Sequence, residues 1–324
     1  MATPTIQTGA NSTLVYYWED NGFKGSPTDS TAKPFGKDSA LTGWSGSRNA
    51  VELFDPNSRE VAEWIEQQFS GTFTADFVLG NPWWNRAVLT EPGSPTDNGD
   101  GSYTYSISGE DPSSIQIVTG NTRSGEDWLL KGAVVANATM TIEVPGNVTV
   151  SLDGAYSALE ETEPGTQEAQ ATRSAEATTF VDGSLSIGGS VQRLIQSLTF
   201  TIANNTDVVL ELGAEEPVDF SPKARMLTVD SVQTRDDASD DEMDRFLGGG
   251  GTLAAPTVND LVIDLDNGES GADAQQLKYT LTDALPNEFS VSGTGNPDSN
   301  VENSVTNRPV GVTAEATNDQ STAP

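Results

Sequence analysis

The chain has 324 residues, 48 Asp plus Glu against 16 Lys plus Arg, no histidine and no cysteine, for a formal charge of −32. Without Cys and His it has no disulfide, no thiolate or imidazole metal site and no Ser–His or Cys–His nucleophile. A surface this negative does not hold nucleic acid nonspecifically. The acids run along the whole chain and lysine is scarce, a distribution that suits molar salt, where the Debye length falls to about 3 Å.

From the N-terminus, MATPTIQTGANST lacks a basic segment followed by an apolar core, and no run is long enough for a membrane helix. The expectation is a soluble protein made in the cytoplasm. Residues 1–45 read as mostly loop, with one strand at Leu14–Trp18 and a long polar excursion at Asn21–Ser39. A short strand follows at Ala50–Phe54. SREVAEWIEQ fits a helix somewhat better than a strand. Phe69, Gly71, Phe73, Ala75 and Phe77 then alternate with polar residues, as a half-buried strand does. Asn81-Pro82 opens a short helix in WWNRAVL, with Asn81 as cap and Pro82 at its first position.

Strands are expected at Tyr103–Ile107 and Ser114–Val118. The most informative stretch follows, DWLLKGAVVANATMTIEVPGNVTVSLDGAY from Asp127 to Tyr156, read as three strands. Ala138, Met140, Ile142 and Val144 alternate with Thr139, Thr141 and Glu143, and Val148, Val150 and Leu152 with Thr149 and Ser151. Period-two apolarity implies a sheet with one wet face and one dry face. Residues 157–182 contain few large apolar groups and read as a linker or extended arm.

The second half gives a hairpin entering a strand at Leu198–Ala203, strands at Asp207–Leu212 and Met226–Val232, and a short acidic helix, DDEMDRFL, stopped by Gly248. Strands at Leu261–Leu265, Gln276–Thr282 and Val310–Ala316 complete it, and NDQSTAP is expected to be mobile. Side by side, the halves share one order: strand, strand, short helix, then three strands. Here Ala50–Phe54 is set against Leu198–Ala203, and Val148–Leu152 against Val310–Ala316. The expected organisation is a first module at 1–156, a linker at 157–182, a second module at 183–316 and a tail at 317–324.

No catalytic, cofactor-binding or metal-binding residue is assigned. The oxygen-rich turns Thr96–Ser102 and Asp264–Ser270 do not fit the twelve-residue calcium loop. Tyr16, Tyr17, Trp18, Trp83 and Trp84 suit packing better than a sugar-binding face.

With these elements in place, GSRNAVELF, FSGTFTADFVLGNPWWNRAVL and the Asp127–Tyr156 stretch, together with QSLTFTIANNTDVVLELG, DDEMDRFLG and LVIDLDNG, resemble the major tail tube proteins of long-tailed, siphovirus-like viruses, here of a haloarchaeal virus. The resemblance spans most of residues 46–316. It implies a mainly β fold of two tandem barrel or sandwich modules, each with a short flanking α-helix, and no enzymatic activity or cofactor. It also implies self-assembly into rings, three copies in a pseudo-six-fold arrangement or else six, stacked into a tube through which DNA passes unbound. Tape measure, tail terminator and baseplate proteins are the implied partners and the virion tail the implied location. The long segments Asn21–Ser39 and Glu160–Thr179 are then candidate arms between rings. A surface or adhesin-type β-sandwich binding module is the alternative.

Overall fold

The computed structural model describes residues 12–20, 22–27, 32–56, 59–65, 67–121, 126–162, 183–235, 240–249, 252–294 and 300–321. The fold is mainly β, and every strand pairing is antiparallel.

The first half runs β1 (Ser12–Trp18), β2 (Lys37–Ser47), a hairpin of β3 (Val51–Phe54) and β4 (Val61–Ile65), then β5 (Ser70–Val78). A 3-10 turn at Trp83–Ala87 follows, then β6 (Thr96–Asp97), β7 (Tyr103–Ile107), β8 (Ile115–Asn121), β9 (Glu126–Glu143), β10 (Val148–Tyr156) and β11 (Ala158–Thr162). The second half runs β12 (Gly183–Ile187), β13 (Ser190–Val191), β14 (Ile195–Ala203), β15 (Asp207–Val209), β16 (Asp219–Ser221) and β17 (Met226–Thr234). It ends with helix α1 (Asp240–Leu247), β18 (Asn259–Asp266), β19 (Gln276–Ser292), β20 (Glu302–Arg308) and β21 (Gly311–Asn318).

Several expectations change. The segment expected to be two strands between Asp127 and Glu143 is one long strand, β9. It turns at Gly132, whose φ of +59° suits glycine, and an added Cβ there would sit 2.6 Å from the Phe23 ring. SREVAEWIEQ contributes a strand, not a helix, because Val61–Ile65 pairs with Val51–Phe54. The flanking helix of the first half is a five-residue 3-10 turn rather than an α-helix. The Asn81 side chain does accept from the Trp83 N–H, at 3.1 Å. Lys37–Ser47, read as loop, is strand β2, and Ala158–Glu161, read as linker, pairs with β9. Residues 163–182 lie outside the described residues. Thr317 and Asn318 belong to β21, and Gln320 is held by Tyr105 and Trp83 side chains at 2.6 and 2.8 Å, so residues 317–320 are anchored.

β9 and β19 each serve two sheets. One end of β9 lies in the order β1-β8-β9-β11, and one end of β19 in the order β12-β18-β19-β21. Their other ends enter a single eight-stranded sheet, β2-β5-β10-β9-β14-β17-β20-β19. The pairing pattern of β2-β5-β10-β9 repeats as β14-β17-β20-β19. Thr74-Ala75-Asp76-Phe77-Val78 on β5 echoes Thr228-Val229-Asp230-Ser231-Val232 on β17, at the same place in the pattern. The pairing set out from sequence is therefore off at both ends. The counterpart of β14 is β2, not Val51–Phe54, and the counterpart of β10 is β20, not Gly311–Asn318.

One apolar core lies behind the eight-stranded sheet and draws on both halves, from Phe73, Phe77 and Trp84 to Phe200, Leu261 and Tyr279. Buried polar groups tie the halves together. Tyr279 donates to Asn85 Oδ1 at 2.8 Å, Asn204 Nδ2 to the Val88 carbonyl at 2.8 Å, and Arg225 to the Gly109 carbonyl at 2.7 Å. Tyr279→Phe is expected to cost about 1–3 kcal/mol, because the fully buried Asn85 carbonyl loses its donor. An unchanged midpoint in chemical denaturation would contradict this.

Glu19 closes the end of β1. Its carboxylate accepts from the Gly132 N–H at 2.8 Å and the Lys24 N–H at 2.9 Å. Burial raises its pKa above the ordinary 4.5, while hydrogen bonds from Ser114, Gly132, Lys24 and Gln116 pull it down. A raised carboxyl pKa means that the native state binds the proton more tightly. The increment is therefore present at low pH and is lost as pH rises through the folded value. The stability difference between the native chain and Glu19→Gln should shrink as pH rises from about 4.5, then level off. Denaturation midpoints of both proteins across pH check it, and a growing difference would refute it.

Candidate assembly surface

One face of the eight-stranded sheet is apolar and buried, and the other is a carpet of small hydroxyls and carboxylates. On β5, Phe73, Ala75 and Phe77 point into the core while Thr72, Thr74 and Asp76 point away. On β9 the outward residues are Thr139, Thr141 and Glu143, and on β10 Thr149, Ser151 and Asp153. Beyond the midline Thr199 and Thr201 on β14, Thr228 and Asp230 on β17, and Ser304 and Thr306 on β20 continue the pattern. A groove lined by Ala40, Asp76, Thr139, Thr141, Thr149 and Ser151 hollows this face.

The carboxylates on it are tethered by hydroxyls of the neighbouring strand. Thr42 donates to Asp76 and Thr74 to Asp153, both at 2.6 Å, and Thr306 donates to Asp230. No ion pair among the described residues neutralises these three aspartates. With Glu143, Glu288 and Glu302 against only Lys37 and Arg308, the face carries excess negative charge.

The sheet has two open edges. β2 pairs with β5 alone, and residues 285–292 of β19 pair with β20 alone. Open edges are templates for another strand, and this chain guards them. β2 is bulged around Asp38, which has φ +48°, and β19 carries Pro286 and a register break beside it.

Two short ribbons present apolar side chains to solvent. In β3–β4, Phe54 is 54% and Trp64 59% exposed, with Val51, Leu53 and Ile65 also exposed. Val208 and Val209 of β15 are exposed too, and Leu212 after them is fully so. A groove lies between the base of β3–β4 and the loop that joins β15 to β16, where Phe69 N–H donates to the Glu215 carbonyl and Gln68 to the Ala214 carbonyl, both at 2.8 Å. A two-stranded ribbon is marginal alone, and clustered exposed apolar groups mark an interaction surface.

The long segments expected to be arms behave differently. Phe23 and Phe220 meet edge-on at 5.3 Å and Lys24 pairs with Glu216 at 3.2 Å, so the described part of Asn21–Ser39 lies against the body. Of Glu160–Thr179, residues 160–162 are in β11 and the rest lies outside the described residues. Exposed aromatics cluster instead on the hairpin β3–β4. Its signal was present in the sequence, since VELF and VAEWI carry apolar side chains on both faces of their strands.

Tyr16, Trp18, Trp83 and Trp84 are buried and pack in the core. In the oxygen-rich turns the side chains cap their own backbone: Asp97 accepts from Gly99, Asp100 from Ser102, and Asp266 from Gly268. Among the described residues no three acidic side chains converge as a metal site. Nor is any described helix long and apolar enough to cross a membrane.

The sheet of this mainly β protein is thus open at both edges, dry on one face and hydroxylated on the other. A sequence model of the family described as Phage tail tube protein matches residues 9–314. The chain belongs to that family of structural virion tail components, whose members assemble with other tail proteins. No curated protein matches it.

Proposed function

We propose that this chain is the major tail tube subunit of a long-tailed, siphovirus-like virus of a haloarchaeal host. Copies join edge to edge into a ring, rings stack into a tube assembled in the host cytoplasm, and the hydroxyl-and-carboxylate face lines the channel through which DNA passes. Tape measure, terminator and baseplate proteins meet the tube at its ends and within it. The chain acts as two tandem modules, the first ending with β11 and the second running from β12 to β21, bridged by 163–182.

The observation that carries this reading is the eight-stranded sheet, in which a four-strand pattern occurs twice and is already joined once, at β9–β14. Three copies then close a ring of six such patterns. At about 4.8 Å between strands and a tilt of roughly 35–45°, its twenty-four strands give a barrel roughly 45–50 Å across between backbones. That admits a DNA duplex with its side-chain lining, and six copies would double it. Unneutralised aspartates on that lining repel phosphate and keep DNA from sticking. The arm β3–β4 reaches a neighbouring copy and buries its aromatics there.

The charge of −32, spread along the chain, supports the halophilic part. Raising KCl from about 0.1 M to molar concentration contracts the Debye length from about 10 to 3 Å. The unfolding temperature should rise steeply over that range, and a flat or falling midpoint would refute a salt-adapted origin. The assembly is tested by negative-stain microscopy of the purified protein in molar KCl. Rings or hollow filaments support the tube, and a monodisperse monomer that binds glycans refutes it.

A further inference from the structure

The chain holds an internal copy of a joint between four-strand patterns, and this fixes what its free edges meet. In β9–β14, Asn137–Glu143 pairs with Ala203–Ser197 without a break, placing Met140 opposite Phe200 and Ala138 opposite Ile202. All the core-facing side chains of this joint, Ala138, Met140, Ile142, Leu198, Phe200 and Ile202, are 1–7% exposed.

The free edges are the counterparts of these two strands. Through their shared pairings with β10 and β20, Met140 corresponds to Phe289, Thr141 to Ser290 and Ala138 to Pro286. Through β5 and β17, Phe200 corresponds to Leu41, Thr199 to Ala40 and Ile202 to Trp44. On the core side these edge residues are apolar too and, apart from the buried Pro286, are less covered than their internal counterparts. Leu41, Phe289 and Val291 are half-buried and Trp44 is 40% exposed, where the internal counterparts are dry. Phe289 stacks on Phe246 of α1 at 5.9 Å, and both rings are half-buried.

We infer that β19 of one copy pairs antiparallel with β2 of a second copy in the register of β9–β14, with Leu41 opposite Phe289, Ala40 opposite Ser290 and Trp44 opposite Pro286. The partner is another copy of this chain, because only the β2 edge carries the counterpart of β14. The intermolecular joint differs from the internal one in its bulges, around Asp38 in β2 and after Pro286 in β19. An edge strand broken by a proline and a left-handed residue does not pair with arbitrary strands. The internal joint is tethered and needs no such guard. This inference rests on the ring-forming reading.

The test uses double-cysteine variants of a chain that has no cysteine. Ala40→Cys is combined in turn with Glu288→Cys, Ser290→Cys and Ser292→Cys, tubes are assembled in molar KCl, oxidised and run on non-reducing denaturing gels. Directly opposed residues in an antiparallel pair fall within disulfide reach. The Ser290 combination should give covalent dimers and trimers at several-fold the yield of the other two. Thr141→Cys with Thr199→Cys, the internal equivalent, should close within one chain without dimers. Tubes that form and cross-link best through position 288 or 292, or at none of the three, overturn the register while leaving the ring intact. Absence of rings in the native chain overturns the reading beneath it.

Discussion

Tubes should fail to form from a chain in which Phe54 and Trp64 are both replaced by serine, while the subunit stays folded. These two side chains are the most exposed aromatics of β3–β4, at 54% and 59%. The hairpin pairs only with itself, through Val51–Ile65, Glu52–Trp64 and Phe54–Val61. Removing the two rings therefore costs the isolated subunit little. In an assembly each ring buried against a neighbour contributes about 1.5–3 kcal/mol. The loss recurs at every copy, so a tube of many rings loses far more than any single contact. Sedimentation and microscopy in molar KCl read the assembly, and thermal unfolding reads the fold. Normal tubes from the variant would show that the hairpin is not an assembly arm. An unfolded variant would place its aromatics in the subunit's own stability.

Arg245→Met should destabilise the subunit by about 3–5 kcal/mol. The guanidinium sits behind the sheet, where Nη1 donates to both Glu242 oxygens at 3.0 and 2.9 Å and Nε to the Thr257 carbonyl at 3.3 Å. Its Nη2 also donates to Asn307. The side chains of the pair are 7% and 6% exposed. Removing the cation leaves a carboxylate in a dry site, which costs more than the pair itself is worth. Burial lowers the pKa of Arg245, and Glu242 opposes that shift. Because the damage is a buried carboxylate that has lost its guanidinium, Glu242→Leu added to Arg245→Met should recover part of the loss. Chemical denaturation in molar salt measures both variants. Equal stability of Arg245→Met and the native chain would contradict the account, as would a double variant worse than the single. The first half differs here: Leu152 stands where Asn307 stands, and Trp84 of the 3-10 turn meets Phe77 edge-on at 6.1 Å.

The alternating strands were legible because burial on one face writes a period of two. Phe69–Val78 stands as β5 within one residue, while Val148–Leu152 and Leu198–Ala203 lie inside the longer strands β10 and β14. What the sequence hid was continuity and edges. β9 reads as two strands because two register shifts, around Gly132 and Ala136, move its core-facing residues from Leu130 to Ala133 and from Val135 to Ala138 and so break the period of two. β2 and β20 were missed because an edge strand and a strand rich in Asn, Ser and Thr show little apolar alternation. Of the apolar side chains in Lys37–Ser47 only Leu41 is half-buried, and Glu302–Arg308 has Val305 as its sole large apolar residue. Those two strands define the repeat, so the duplication was visible as an order of elements but misaligned at both ends. The polar face was visible as Thr and Ser alternation. Its extent across both halves was not, because joining β9 to β14 is a long-range pairing that no local pattern encodes.

The mass of the smallest closed ring in molar KCl, measured by native mass spectrometry or light scattering, decides how the barrel closes. Three copies of the 34.2 kDa chain are expected, closing six four-strand patterns into one barrel. A ring of six copies would contradict that closure, and a protein that stays monomeric under those conditions would contradict the tube itself.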